Sequence, residues 1–397
     1  MRVSTYSTFL NGIRAIQNLQ SSLDATQRQI SSGRRIQTPS DDPIAASRAL
    51  KLREILSRLG QFDRNAGNAR NRLSQEEITL KSIGDIVQRV RELVLQANTA
   101  TQNNETRRLI AIEMRENLNN LLQLANQKDG NGAYLFAGNL EATQPVAQVG
   151  SKFSYNGDQG QRFIQIGEGR YVADSDHGAN VFFRIRNGNG VFSAAPSAVN
   201  TGTGLIGSRN VVDESLYDQD VYTVRFIDPA NYEVLDSAGG VVTTSAYQSG
   251  DTVSFRGIEF NLTGEPAAGD EFVVSPSRFQ DIFTTLEKIT SALAQAVSDD
   301  ASRAALANKV NSGLLDLDQA LGKILDVRTQ VGSRLRAIDD QVDNNGAFAL
   351  AMQTTIAEIE DLDYAEAISR LTAESVTLQA AQRSFVFTQQ LSLFDFL

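Results

Sequence analysis

The 397-residue chain has no cysteine, no tryptophan and one histidine, His177. Without cysteine there is no thiol nucleophile, no disulfide and no Cys/His zinc site. Any imidazole chemistry would have to pass through His177. No apolar run approaches the roughly 18 residues of a membrane helix. Residues 1–30 lack the unbroken apolar stretch of a cleaved signal peptide. The net charge is −10, which argues against a nucleic-acid partner, because phosphate backbones are met by basic faces. With 41% hydrophobic and 21% charged residues the chain has enough apolar content for packed cores. Composition alone reads as soluble, cytoplasmic and without catalytic equipment.

The seven prolines fall in two places: Pro39 and Pro43, then five from Pro145 to Pro276. Seventeen of the 29 glycines and six of the nine tyrosines lie between residues 145 and 276. Proline and glycine break helices, and aromatics favour strands. The expected fold is therefore α+β and multidomain. Long antiparallel coiled-coil helical arms come from both termini, with a central antiparallel β-rich insert domain between them. The expected segments are 1–40, an N-terminal assembly helix and hinge; 41–144, the N-side arm; 145–276, the insert; 277–345, the C-side arm; and 346–397, a C-terminal assembly helix. Within the insert, Arg162–Gly167, Val181–Arg186, Tyr222–Ile227, Thr252–Leu262 and Glu271–Ser275 read as strands, separated by turn signals such as Asn156-Gly157 and Gly239-Gly240. Short strands at this spacing predict a sandwich or barrel-like domain.

The arms carry heptads. Val310, Leu314, Leu317, Leu321, Ile324, Arg328, Val331, Leu335, Ile338 and Val342 follow steps of 4 and 3, and only Arg328 is not apolar. Leu73, Glu76, Leu80, Ile83, Val87, Val90, Val94 and Ala97 do the same, with Glu76 the exception. Seams of this length predict coiled-coil packing. Asp42-Pro43 reads as a helix start, with an N-cap followed by proline at the first helical position. One helix over residues 43–98 would span about 84 Å at ~1.5 Å per residue. A polar break at Asn98–Asn104 allows a return helix, expected to present Leu109, Ile112, Leu118 and Leu122 on one face.

Both chain ends are helical in period but interrupted. Phe9, Ile13, Ile16, Leu23 and Ile30 share a stripe with Gln20 and Gln27; Ile368, Leu371, Leu378 and Phe385 share one with Ser375, Gln382 and Gln389. Polar seam residues lower stability while setting register and partner choice. Residues 1–40 carry five arginines and one aspartate, whereas residues 356–397 carry seven acidic residues and two arginines. Antiparallel pairing brings Arg28, Arg34 and Arg35 toward Glu358, Glu360, Asp361, Asp363 and Glu366. Phe385, Phe387, Leu391, Leu393, Phe394, Phe396 and Leu397 crowd the last 13 positions. Such apolar mass needs cover, which we expect neighbouring subunits to supply, leaving the ends of the free chain poorly ordered.

No motif carries catalysis, a cofactor or a metal. Gly202-Thr203-Gly204-Leu205-Ile206-Gly207 matches a dinucleotide fingerprint but lacks the preceding strand and following helix the phosphate needs, and reads as a glycine-rich loop. His177 sits in a turn composition, with no serine or aspartate singled out to complete a triad. The acidic runs Asp213–Asp220 and Asp339–Asp343 lack the spacing of a calcium loop and read as solvated faces. Asn261-Leu262-Thr263 fits a glycosylation sequon without a secretory context.

Ile30-Ser31-Ser32-Gly33-Arg34-Arg35-Ile36 followed by Ser40-Asp41-Asp42 resembles the N-terminal signature of bacterial flagellins and their relatives. The longer form, Pro39 through Ser47, is most like the family's hook-associated members at the hook–filament junction. So are Asp129–Gly138 and the stretch from Gly257 through Phe272, while Asp363-Tyr364-Ala365-Glu366 resembles the start of the family's C-terminal helix. The resemblance implies a structural axial subunit of the flagellum, exported unfolded without a cleaved signal and joining hook to filament. Its implied partners are an adjacent hook-associated protein, flagellin, copies of itself in a ring, and an export chaperone on the C-terminal helix, with no nucleic acid and no membrane. A filament-forming flagellin with the insert as its exposed surface is the alternative, and an enzyme or carbohydrate-binding adhesin built on the insert a third. Under this resemblance Phe9, Ile13, Ile16, Leu23, Ile30, Ile368, Leu371, Leu378, Phe385, Leu391, Leu393 and Phe394 are candidate subunit-interface residues. Arg89, Leu93 and Glu113 are similar to the flagellin surface recognised by an innate immune receptor; ordinary helix packing is the competing reading.

Overall fold

A computed structural model describes the backbone over residues 2–99 and 101–394 and the side chains over residues 6–99 and 101–388. Among the described residues there are six α-helices: α1 (Arg2–Ser32), α2 (Pro43–Ala97), α3 (Asn104–Ala125), α4 (Ile282–Ala294), α5 (Asp300–Glu360) and α6 (Tyr364–Phe394). Fourteen short strands lie between Val146 and Gln280. Helical arms thus flank a β-rich insert. The chain forms two compact units, the described residues of Met1–Arg64 with Gln341–Leu397, and Asn65–Asp340. The expected segment limits at 145 and 276 fall inside the second unit. The limit at 345 falls within α5, which runs on to Glu360.

Helix starts follow local chemistry. Asp42 Oδ1 accepts from Ala45 N at 3.0 Å, with Pro43 next in line. Asn103 and Thr106 form a reciprocal capping box on α3. The expected single C-side arm is two helices. Asp281 caps α4, and Asp299, accepting from Ser302 N at 2.7 Å, starts α5 after a break.

In the second unit the α2 seam is buried throughout: Leu73, Glu76, Leu80, Ile83, Val87, Val90, Val94 and Ala97 are all shielded, and Ala66 and Ala69 extend it. On α5 the positions seven apart, Val310, Leu317, Ile324, Val331 and Ile338, are fully buried. The alternate positions are displaced by one residue from those expected. Ala320 and Val327 are buried, whereas Leu314, Leu321, Arg328 and Leu335 are half-buried on the flank. Smaller residues take the inner positions, and the larger leucines lie beside the seam. Arg328 instead reaches Glu77, at 2.7 and 3.0 Å.

The return helix α3 also turns a different face inward. Ile110, Ala111, Met114, Leu118, Leu121 and Ala125 are buried, while Leu109 and Ile112 are more than half exposed. Leucine positions alone mislead here, because two alanines take the close contacts.

The insert contains a two-sheet sandwich. A five-stranded sheet has the order β10-β9-β8-β13-β6, built from β6 (Phe192–Pro196), β8 (Tyr222–Asp228), β9 (Asn231–Leu235), β10 (Val241–Ala246) and β13 (Glu271–Pro276). A three-stranded sheet has the order β11-β12-β7, from β7 (Leu205–Val211), β11 (Thr252–Phe255) and β12 (Ile258–Thr263). All neighbours are antiparallel. Alternate residues of β8 and β12 point inward and form one core with Phe192, Val234 and Phe272. The Tyr222 and Phe255 rings meet edge-on across the sheets at 5.1 Å. Expected as one strand, Thr252–Leu262 is a hairpin. Arg256 (φ 47°) and Gly257 (φ 75°) both adopt the left-handed conformation of a two-residue turn. Val181–Arg186 is not a strand: residues Ala179–Phe183 form a π-helical turn, followed by two strand residues. A strand would send Phe182 and Phe183 to opposite faces; the turn sets both against Phe283, at 5.8 and 5.9 Å.

The displaced register predicts unequal effects of truncation. Ile324→Ala, which opens a buried site, should cost about 2–4 kcal/mol, and half-buried Leu321→Ala about 1 kcal/mol. Urea denaturation of the two variants checks this; equal losses would restore the expected register.

Candidate assembly surface

The first unit is built on the pairing of α1 with α6, and the pairing is antiparallel. Phe9 meets Phe385 with ring centroids 5.5 Å apart, Ser22 Oγ donates to Glu374 Oε1 at 2.5 Å, and Gly33 O accepts from Leu362 N at 3.0 Å. Gly12 lies directly beneath the Phe385 ring, where a Cβ would come within 2.8 Å of it. The hinge after α1 turns at Gly33, whose φ of +69° suits glycine. Arg35 N then donates to Glu360 O at 2.7 Å, and Arg35 Nη2 to Ile359 O at 2.7 Å. Buried Glu360 pairs with Arg53 of α2. The basic and acidic clusters therefore meet, but largely through backbone. Arg34 bridges Asp361 in a short β-contact, and the side-chain partner of Glu360 is none of the three terminal arginines. Asp41 takes the N–H groups of Gln37 and Thr38 at 2.9 and 2.7 Å, bonds that hold its carboxyl below the usual range. Asp363 Oδ1 accepts from Ala365 N and Glu366 N and starts α6.

The terminal pair buries little. Of its described side chains only Thr26 on α1 and Ala367 on α6 are buried. Ile13, Ile16, Leu23, Ile30, Leu371, Leu378 and Phe385 are half-buried, and Phe9 and Ile368 are exposed. Val376, Val386 and Phe387 are also exposed, by 60%, 55% and 65%. Leu391, Leu393 and Phe394, expected at the interface, lie outside the described side chains.

The Arg89, Leu93 and Glu113 group divides. Arg89 donates to Glu113 Oε1 through Nε (3.1 Å) and Nη2 (2.8 Å), so each exposed charge is occupied by the other. Leu93 is 1% exposed and part of the helical core; it offers nothing to a partner on this surface.

A polar network interrupts the apolar seam of the second unit. Glu76, fully buried on α2, accepts from Asp176 N at 3.2 Å, and its Oε2 has no partner. Asp176, also buried, receives Arg334 Nη1 and Nη2 at 2.8 and 3.1 Å and Gln161 at 2.8 Å. Burial, reinforced by the Asp176 charge, pushes the Glu76 carboxyl well above its usual range. Glu76 was visible as the polar exception in its heptad; Asp176 and Arg334 were not, because their meeting depends on tertiary structure.

The motifs set aside from sequence are engaged structurally. Gly202 and Gly204 line a loop that leads into strand β7 rather than a helix, and Asp270 takes the N–H groups of Thr201 and Gly202. His177 Nδ1 accepts from Asn180 N at 3.2 Å, and burial lowers its pKa. Asn261 donates to Gly250 O at 2.7 Å from within β12. Asp213 and Asp220 are occupied by Ser215 and Ser237, and Asp339 by Arg70.

Comparison with known proteins gives two family matches: the bacterial flagellin N-terminal helical region over residues 3–141 and the bacterial flagellin C-terminal helical region over residues 314–397. The chain is 24% identical to the flagellar hook-associated protein 3 of Escherichia coli K12 over 395 residues, covering 100% of this chain and 99% of that one. A flagellin of Escherichia coli O127:H6 is 26% identical over 344 residues, which cover 85% of this chain and 56% of the flagellin. The crystal structure of flagellar hook-associated protein 3 from Legionella pneumophila superposes with a TM-score of 0.75 at 32% identity, over 78% of this chain and 98% of that one.

Glu76 predicts a pH dependence. The unfolded chain releases this proton from about pH 4.5 upward, while the folded chain keeps it. The folded state then holds more protons across that window, and stability falls as pH rises through it. Glu76→Gln retains the acceptor for Asp176 N–H and has no proton to lose. It should raise stability at neutral pH by on the order of 1 kcal/mol or more and flatten the profile above about pH 5. Urea midpoints across that range check both; a parallel profile in the variant would remove Glu76 as the cause.

Proposed function

The chain belongs to the bacterial flagellin family, and we propose that it is a structural axial subunit of the flagellum, an adaptor that joins hook to filament. Its alignment with a flagellar hook-associated protein 3 covers the whole of this chain, whereas that with the flagellin covers 85% of it. That difference favours the junction over the filament.

The carrying observation is the contrast between two helix pairings in one chain. The second unit's seam is shielded nearly completely, whereas the stripes of α1 and α6 are half-exposed. Fully burying a Leu, Ile or Phe side chain gains about 1.5–3 kcal/mol, so each half-covered residue leaves on the order of 1 kcal/mol unrealised. Packing against the same helices of neighbouring subunits recovers it. Phe9, Ile13, Ile16, Leu23, Ile30, Ile368, Leu371, Leu378 and Phe385 form this contact. The partners are an adjacent hook-associated protein on one side, flagellin on the other, and copies of this chain around a ring. Before assembly, an export chaperone covers the C-terminal helix. The protein acts outside the cell and travels unfolded, a passage eased by the lack of any disulfide to break. No catalysis is assigned to it.

Two measurements test the assignment. Hydrogen exchange on the free chain should be fast over residues 2–32 and 364–394 and slow by at least about 100-fold on assembly, with the second unit protected throughout. Protection already complete in the free chain would remove the need for neighbours. Deleting residues 385–397 should leave the second unit's melt unchanged and abolish incorporation and motility. On isolated hooks without flagellin, addition of the intact protein should stop at a short segment; long filaments would make it a flagellin.

A further inference from the structure

One border of the five-stranded sheet is open: among the described residues β10 pairs with β9 alone. We propose that this free edge of β10 takes an extended polypeptide strand whose centre is uncharged and whose ends are basic. No terminal-helix contact is needed for it.

Tyr247 N donates to Ala230 O at 2.7 Å, and the same register pairs Ser245 with Tyr232 and Thr243 with Val234. Residues 243, 245 and 247 thus turn their backbone groups toward β9. Alternation leaves the N–H and C=O groups of Thr244 and Ala246 directed outward, and both residues are exposed. The opposite edge differs: Ala194 O on β6 accepts from Arg209 at 3.1 Å. Natural edge strands are blunted by charge, proline or a bulge. Val241–Ala246 has no charged residue and no proline, and its register shift is confined to Val241–Thr243. The stretch from Thr243 to Ala246 remains a regular template for one more strand.

Charge selects the strand. Residues 192–276 hold twelve Asp and Glu against three Arg, a net −9 of the chain's −10. Of those arginines, Arg209 is buried and Arg225 pairs with Glu233. Carboxylates stand at both ends of β10. Before its start, Gly240 N donates to Asp236 Oδ1 at 2.7 Å and Ser237 Oγ to Asp220 Oδ2 at 2.8 Å. Past its end, Gln248 N donates to Asp251 Oδ2 at 2.7 Å, and Ala230, opposite Tyr247, donates through N to Asp228 Oδ1 at 2.8 Å. Hydrogen bonds from Ser237 and Asn231 hold the Asp220 and Asp228 carboxyls below the usual range, so they stay anionic at neutral pH. A second copy of this edge, paired antiparallel, would set Asp220 and Asp236 against Asp228 and Asp251. A basic-ended strand meets opposite charge at both ends instead.

Fluorescence anisotropy of the full chain with the labelled peptide Lys-Lys-Thr-Val-Thr-Val-Thr-Lys-Lys, and hydrogen exchange of the complex, test the edge. Expected is saturable binding, weakened at least about tenfold between about 0.02 and about 0.2 M salt, with exchange slowed at Thr244 and Ala246. The same peptide with Glu in place of Lys should bind at least about tenfold more weakly. Thr244→Pro removes an outward N–H while sparing the ladder to β9, and should weaken binding at least about tenfold. Absence of saturable binding, unchanged binding in the variant, or protection on β11 in place of β10 would each overturn the proposal. So would equal binding by Lys-Lys-Pro-Gly-Pro-Gly-Pro-Lys-Lys, which matches the charge but cannot extend a sheet, or dimerisation of the free chain through β10. Should Thr244→Pro fail to fold, the proline peptide and the exchange pattern of the unaltered chain decide.

Discussion

The helical part of the second unit depends on one constraint: the inner stripes of α2 and α5 must exclude water along their length. Leu73 through Ala97 on one helix and Val310 through Ile338 on the other achieve this with a shared seven-residue step. The same two helices continue into the first unit, so the terminal elements are carried on segments whose helicity is already secured. The sandwich has a separate core, dominated by aromatic and β-branched residues from both sheets. It therefore does not rely on the helical seam for its own burial.

The two units use one kind of helix pairing to opposite ends. In the second, small residues such as Ala111 and Ala320 are buried on the inner faces, and ion pairs such as Arg91–Asp318 and Arg328–Glu77 border the seam. In the first, directed hydrogen bonds between residues 33–35 and 359–362 close the hinge. The helices beyond it touch through few buried groups. Strong local geometry at the hinge sets direction, and weak lateral packing leaves surface over. That division suits an element whose final neighbours are other chains.

What could be read from sequence follows the range of the forces involved. Asp42-Pro43, the α2 heptads and the Asp363 start of α6 depend on residues within a few positions of one another, and all were legible. The inner face of α5 was misplaced by one residue at alternate positions, since leucines outweighed the alanine and valine that close packing prefers. Val181–Arg186 looked like a strand until the Phe283 ring, a hundred residues away, imposed a π turn. Gly257 sits inside a run that alternates well enough to hide a hairpin. Of the candidate surface, the half-apolar stripes were evident from their glutamines, whereas for Leu93 the resemblance left a receptor surface and helix packing both open, and its burial fits packing. Arg209 had no local signal at all; its burial beside Ser312 of α5 arises only when β7 meets that helix.

Glu76, Asp176 and Arg334 have a consequence beyond local electrostatics. A purely apolar heptad ladder is nearly indifferent to a shift of one rung, because Leu317 can stand where Ile324 stood. Arg334 has no such substitute. One heptad away along α5 are Val327 and Gln341, neither of which carries a charge to balance the Asp176 carboxylate. A chain that slipped by seven residues while refolding would strand a buried anion, so the costly polar rung works as a proofreader of alignment.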